Sequence, residues 1–164
     1  MAEPTPTAPR IPSAYGVPTD ASGGELLPWS WAVDQLTTAR NYWICTTRRD
    51  GRPHAMPVWG VWLDGAVWFS TDPSSTKGRN MARDPRIVVH PESGDETVVL
   101  EGKVESNPDD RAALQRFVDA YEQKYSFRME LDNENYGIYV LRPRIAHTWT
   151  EQDFPRTATR WVFS

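Results

Sequence analysis

The chain has 164 residues, a net charge of −4 and a single cysteine. That length suits one domain with a real core. The acidic balance argues against a broad electrostatic footprint for nucleic acid, and one cysteine excludes an internal disulfide.

No apolar run approaches the ~20 residues of a membrane span. The N-terminus carries Pro and Thr where a secretory leader needs an apolar core, so a cytoplasmic protein is expected. Eight tryptophans point to an aromatic-rich interior or binding face.

Residues 1–24 are rich in Pro, Thr, Ala, Ser and Gly and read as a flexible tail, with Ile11, Tyr15 and Val17 as possible anchors. The folded domain is expected over residues 25–164. A short helix is predicted from Trp31 to Ala39, with Ser30 as its N-cap. Asn41 to Arg48 reads as a strand, and Asp50-Gly51 is a hairpin signal. Cys45, inside the apolar run from Tyr42, reads as a structural thiol.

A second strand follows from Arg52 to Leu63. Pro57 cannot donate to a ladder and Gly60 has no side chain to pack, so a bulge or a close approach to the backbone is expected there. Asp64-Gly65 turns the chain again, and Ala66 to Thr71 returns as a third strand. Two such turns between three apolar runs describe an antiparallel meander.

Asp72 and Pro73 end that strand. Ser74, Ser75 and Thr76 then supply hydroxyls and free N–H groups where a helix, Thr76 to Ala82, is predicted to start. Lys77 and Arg79 add positive charge. Unpaired N–H groups, the helix macrodipole and a cation together favour a bound anion. The competing reading is a capped surface helix with solvated basic residues.

Arg86 to His90 and Glu96 to Glu105 read as strands. Asn107-Pro108-Asp109-Asp110 is a helix start, with Asn107 as cap and Pro108 at the first position. Leu114, Phe117, Val118, Tyr121 and Tyr125 form one apolar stripe at helical spacing, which reads as core. Tyr136 to Leu141 and Arg144 to Trp149 are predicted as two further strands. Thr159 to Phe163 is a terminal strand or an arm. Short antiparallel strands with few helices make a mainly β, barrel-like domain.

The motifs exclude several chemistries. There is no Gly-x-Gly-x-x-Gly, no phosphate loop, no zinc-ligand spacing and no Gly-x-Ser-x-Gly turn. His54, His90 and His147 lie far apart in sequence and read as ordinary strand histidines. What remains is a constellation of three parts: Pro57-Val58-Trp59, Ser70-Thr71 and Ser75-Thr76-Lys77. A flat heterocycle along the first part with its phosphate at Lys77 is the arrangement a flavin-type cofactor needs.

The run Trp43-Ile-Cys-Thr-Thr, then Asp50-Gly-Arg-Pro-His54-Ala-Met-Pro57-Val-Trp59, Trp68-Phe-Ser-Thr71, Ser75-Thr-Lys77-Gly-Arg-Asn80 and Asp84-Pro85-Arg86 resembles the pyridoxamine 5′-phosphate oxidase-like family. Its wording is most similar to the flavin/deazaflavin oxidoreductases, type B, many of which use coenzyme F420. The resemblance covers roughly residues 31–163.

It implies an antiparallel Greek-key split β-barrel that binds flavin or deazaflavin at a homodimer interface, and an oxidoreductase that passes hydride between F420 and a small organic acceptor. Carried over by residue, Lys77 holds phosphate with Ser75 and Thr76. Pro57, Val58 and Trp59 flank the ring, and Ser70 and Thr71 lie near its linker. Arg79 and Asn80 match the motif, Asn80 as an orienting residue. Trp149, Arg160 and Trp161 are the candidates that complete the partner's pocket. No catalytic acid and no metal ligand is assigned.

The oxidases proper carry basic residues on the strand that here reads Met56 to Val61, and this chain has none there. That departure disfavours flavin mononucleotide (FMN) oxidase chemistry. An FMN-dependent oxidoreductase and a non-catalytic F420- or haem-binding protein are the alternative readings.

Overall fold

Part of the segment read as a tail supplies the first strand of the sheet. In the computed structural model, which describes residues 3–17, 26–131, 133 and 135–164, Thr5–Thr7 forms β1. Further along, Ser13–Tyr15 forms a short 3-10 turn, Tyr15 packs edge-on against Phe154 and Val17 is buried, while residues 18–24 lie outside the described residues.

Helix α1 (Trp29–Thr38) starts before Ser30, with Pro28 at its N-cap and no side-chain cap. Burial explains the shift: Trp29 packs against Trp62, Trp161 and Phe163 and brings the first turn with it.

Strands β2 (Tyr42–Thr47) and β3 (Pro53–Val58) form the first hairpin, and Gly51 takes a left-handed φ of 84° in its turn. Strands β4 (Gly60–Leu63) and β5 (Ala66–Thr71) form the second, turning through Asp64 and Gly65 at φ 51° and 72°. Asp-Gly suits both turns because Gly, and to a lesser degree Asp, tolerate positive φ. The single strand expected from Arg52 to Leu63 is thus two, separated at Trp59.

Helix α2 (Thr76–Arg83) follows, then β6 (Arg86–Pro91) and β7 (Glu96–Ser106). Helix α3 (Arg111–Tyr125) is capped by Asp110, whose carboxylate accepts from the Ala113 N–H at 3.0 Å. Asn107, expected as the cap, instead takes φ 48° and accepts the Ile138 N–H at 2.9 Å, tying the loop to the next strand.

That strand, β8 (Gly137–Thr150), replaces the two expected. It is 14 residues long and carries Pro143 at a register shift against β7. A bulge lets a strand pass a residue that cannot donate. A short helix, α4 (Phe154–Thr157), leads to β9 (Thr159–Val162).

All strand pairs are antiparallel. The order runs β1-β9-β8-β7-β6-β2-β3, and β5 pairs with both β4 and β8. The length of β8 makes this possible: residues 137–141 pair with β5 and residues 145–148 with β9, while β7 runs along the other edge. Because β3 continues through Trp59 into β4, the sheet closes on itself as a split barrel.

Alternation along each strand divides the apolar residues between two clusters. Tyr42, Ile44, Phe69, Val89, Leu100 and Leu141 fill the barrel with Leu36 of α1. Val61, Trp68 and Val140 point the other way and pack under Phe117, Val118 and Tyr121 of α3. Among the described residues no helix is long and apolar enough to cross a membrane, and no group of three metal-ligating side chains occurs.

Candidate functional site

The break between β3 and β4 leaves backbone groups that the ladder cannot satisfy, and α3 satisfies them. The Gly60 N–H donates to the Tyr125 hydroxyl at 2.9 Å. That hydroxyl lies 2.7 Å from both the Gly60 and the Arg40 carbonyls, which share its proton. Lys124 Nζ adds a bond to the Gly60 carbonyl at 3.1 Å. A Cβ on Gly60 would lie 2.9 Å from the Trp68 carbonyl, so glycine permits this approach.

The Trp59 ring stacks flat on Tyr125, with centroids 4.7 Å apart and planes within 5°, and Arg40 lies over it at 5.8 Å. Trp59 nevertheless stays 39% exposed. Beside it, β3 pairs only with β2. Pro57 is exposed and Val58 half-buried on this strand. The result is an apolar strand edge without a strand partner among the described residues.

Lys124 is a consequence of that arrangement. Burial pushes its ammonium down to about 8, against a smaller opposing effect of Glu92. Below that pH the folded state carries a desolvated charge that the unfolded chain hydrates freely. The unfolded state therefore binds more protons between about 8 and the ordinary lysine value of 10.5, and the contribution of this group to stability rises over that window.

Tyr42 and Tyr125 are raised above the ordinary phenol value, chiefly by burial, and act in the opposite sense at higher pH. Urea unfolding midpoints measured at pH 7 and pH 9 are expected to show a rise that Lys124→Met flattens.

The candidate anion seat follows β5 directly. Ser75 caps α2, its hydroxyl accepting from the Gly78 N–H at 3.1 Å. Asp72 shapes the turn by accepting the Ser74 N–H at 2.6 Å, and those bonds hold its carboxyl below the usual range. Lys77 sits in the first turn, half-buried, with its pKa lowered by burial against the opposing pull of Asp72. It makes no hydrogen bond or ion pair among the described residues. A desolvated cation at the positive end of a helix is doubly unfavourable unless an anion joins it.

Behind the seat, Asn80 is buried and donates to the Thr46 hydroxyl at 3.0 Å, and Thr46 lies 3.4 Å from the His54 carbonyl. This chain of bonds fixes α2 against β2 and β3, which gives Asn80 the orienting place expected of it. Beyond Thr76 and Arg79, a cavity of about 790 Å³ extends to Arg48, Arg49, Arg52 and Arg83. Arg79 and Arg83 are anchored to the Ser74 and Thr47 carbonyls, and Asp50 pairs with Arg52. Sequence reading missed the three arginines of the β2–β3 turn because they lie some 25 residues before Lys77, and only the packing of α2 brings the two together.

Thr71 is buried, and the Ser70 hydroxyl is the one buried side-chain polar atom without a partner among the described residues. An orphaned hydroxyl beside that strand edge, and beyond it a lysine with no ion pair among the described residues, fit a phosphorylated ring compound.

The late residues are placed differently. Trp161 is 4% exposed, with its indole N–H on the Thr148 hydroxyl at 2.8 Å, so it belongs to the core. Trp149 packs edge-on against Phe154. Arg160 is half-buried and reaches the Thr7 hydroxyl of β1 at 3.3 Å. None of the three is brought to this chain's own seat.

His54 is buried, and desolvation lowers its pKa with help from Arg48 and Lys77. His90 stacks on Trp43, with Nδ1 2.7 Å from the Pro91 carbonyl.

Comparison with solved structures returns this barrel repeatedly. A conserved hypothetical protein of Mycobacterium tuberculosis is 22% identical, covering 79% of this chain and 88% of its own, with a TM-score of 0.64. A protein described as an F420 reductase is 22% identical over 69% of this chain and 93% of its own, at 0.55. A heme-binding protein from Mycobacterium smegmatis is 24% identical over 70% of this chain and 51% of its own, also at 0.55. At these identities the likeness is one of fold. A comparison with curated proteins finds no match. The family model described as pyridoxamine 5′-phosphate oxidase matches residues 32–150, most of the barrel and both halves of the site, and the chain therefore belongs to that family.

Proposed function

We propose that this protein is an F420-dependent oxidoreductase that transfers hydride between the deazaflavin and a small organic acceptor. The observation that carries the reading is Lys77: a half-buried ammonium with no hydrogen bond or ion pair among the described residues, at a helix start that adjoins an open apolar strand edge. When bound, the coenzyme supplies the hydride chemistry, and the protein supplies binding, orientation and exclusion of water.

Lys77 and the hydroxyls of Ser75 and Thr76 hold the phosphate. Pro57 and Val58 form the shelf for the ring, with Trp59 locked beside them by Tyr125 and Arg40. Ser70 and Thr71 face the linker. Asn80 and Thr46 hold α2 in register with the shelf. A second copy closes the pocket over the open edge of β3, where Met56 is 48% exposed beside Trp59.

Two features favour F420 over FMN. The segment from Met56 to Val61, the end of β3 and the start of β4, has no basic residue, and the arginine cavity beyond Thr76 offers charge to further anionic groups past the phosphate. A structural neighbour described as an F420 reductase accords with this choice.

Titration with F420 and with FMN, read by cofactor fluorescence, tests the reading. F420 is expected to bind about tenfold more tightly, the difference that one further charge-assisted contact supplies. Failure of both to bind overturns it, and a Soret band on adding haem in their place redirects it to the non-catalytic alternative.

A further inference from the structure

A cavity of about 280 Å³ opens where the first described residues meet α1 and β4. Its walls follow from the local structure. The register of β1 on β9 pairs Thr5 with Val162, so its continuation sets Pro4 beside Phe163, with Glu3 next along the chain. Trp29 and Val33 are one helical turn apart on α1 and share a face. Trp62 comes from β4, and Gly65, in the turn that follows, adds no side chain to the opening. The Phe163 N–H donates to the Arg144 carbonyl at 3.0 Å, which fixes that end of the chain.

Three aromatic rings line the cavity. The Trp62 ring stands at 66° to that of Trp29 and the Phe163 ring at 82°, with centroids 6.4 and 5.2 Å away. Trp29 is the buried floor, and the other two are half-buried walls. Rings so set around a cavity offer it negative π surface from more than one direction. The lining carries one formal charge, the exposed Glu3 carboxylate, and no basic residue. Glu3 makes no hydrogen bond or ion pair among the described residues. The positive end of α1, roughly half an elementary charge, lies beside Trp29 and opposes a cation, but the full charge of Glu3 outweighs it.

We propose that this cavity binds a small quaternary ammonium compound, its methylated head among Trp29, Trp62 and Phe163 and its charge balanced by Glu3. A quaternary ammonium is the cation such a lining suits. Its methyl groups bury against the rings, and it has no N–H to be left without an acceptor. The volume, at the lower end for small-molecule sites, takes a trimethylammonium head with a short tail. A negative group on the ligand would meet Glu3, so a choline-like cation is favoured over a betaine or a phosphocholine headgroup. The cavity lies by the Asp64-Gly65 turn, at the opposite end of β5 from Lys77. None of its lining residues belongs to the cofactor site or to the open edge of β3.

Calorimetric titration of the full chain with choline tests the site, with glycine betaine and 3,3-dimethylbutanol, the uncharged carbon isostere of choline, as counterparts. Choline is expected to bind at least about tenfold more tightly than either, the difference that desolvated cation–π contacts supply. Glu3→Gln, at an exposed position, lowers choline affinity about fivefold and leaves the alcohol unchanged. Trp62→Leu removes most of the preference for choline, and thermal unfolding reports that the variant is folded.

Equal affinity for choline and the alcohol, no binding of choline at millimolar concentration, or a Glu3→Gln variant that prefers choline as strongly as wild type overturns the assignment. So does binding to phosphatidylcholine vesicles without binding of free choline, which would make the cavity a lipid-headgroup site. F420 affinity is expected to be the same in Glu3→Gln as in wild type, which keeps failure here separate from failure of the cofactor reading.

Discussion

Replacing Lys77 with Ala is expected to lower F420 affinity by about a hundredfold, the upper range for losing a charge-assisted contact to an anion. The same change is expected to leave the fold intact and slightly more stable. Lys77 has no hydrogen-bonding partner among the described residues, is partly desolvated, and lies at the end of α2 where a cation opposes the macrodipole. That combination of lost binding and unharmed folding marks a residue placed for a ligand. Fluorescence titration and thermal unfolding of one preparation measure both halves, and Lys77→Arg restores part of the affinity. Unchanged affinity in the Ala variant removes the phosphate seat from this helix.

Gly78→Ala is expected to have the largest structural effect. A Cβ there would lie 2.4 Å from the Pro73 carbonyl oxygen, 2.7 Å from that of Asp72 and 2.8 Å from the Pro73 carbonyl carbon. All three are backbone atoms and cannot swing aside, so the turn before α2 must open. The cost is about 3 kcal/mol, the upper end for overpacking, and lowers the thermal midpoint by about 9 °C. Opening the turn also breaks the Ser75 cap on the Gly78 N–H and moves Lys77, so F420 affinity falls with stability. Gly94→Ala is the control: nothing lies within 4 Å of its Cβ, and little change is expected. A Gly78→Ala protein as stable as wild type contradicts the tightness of this turn.

These two neighbours illustrate what is local and what is not. The start of α2 was legible because every contact that makes it is made within a few residues: Asp72 shapes the turn, Ser75 caps, and Gly78 fits beneath Pro73. Both Asp-Gly turns were legible for the same reason, since positive φ is a property of the residues themselves. The start of α1 was not, because Trp29 is drawn into a cluster with Trp62, Trp161 and Phe163 from the far end of the chain. Nor was the cap of α3, where Asn107 spends its carboxamide on Ile138 thirty-one residues away.

The site divides along the same line. Pro57 and Gly60 announce a broken ladder in one dimension, and β3 and β4 do part at Trp59, while the serine-lysine run announces a helix start that Ser75 does cap. Tyr125, read as part of the core stripe, and Lys124, which no sequence signal singled out, support the break because α3 docks across it. Trp161, matched by its position near the end of the chain, lies in the core because β9 pairs with β8 and turns its indole inward. Residue type and short spacing therefore determined the turns, the helix start and the chemistry on offer. Which side chains meet, and which face each strand shows to solvent, was decided by long-range pairing, because strand register and helix docking depend on partners that no local pattern encodes.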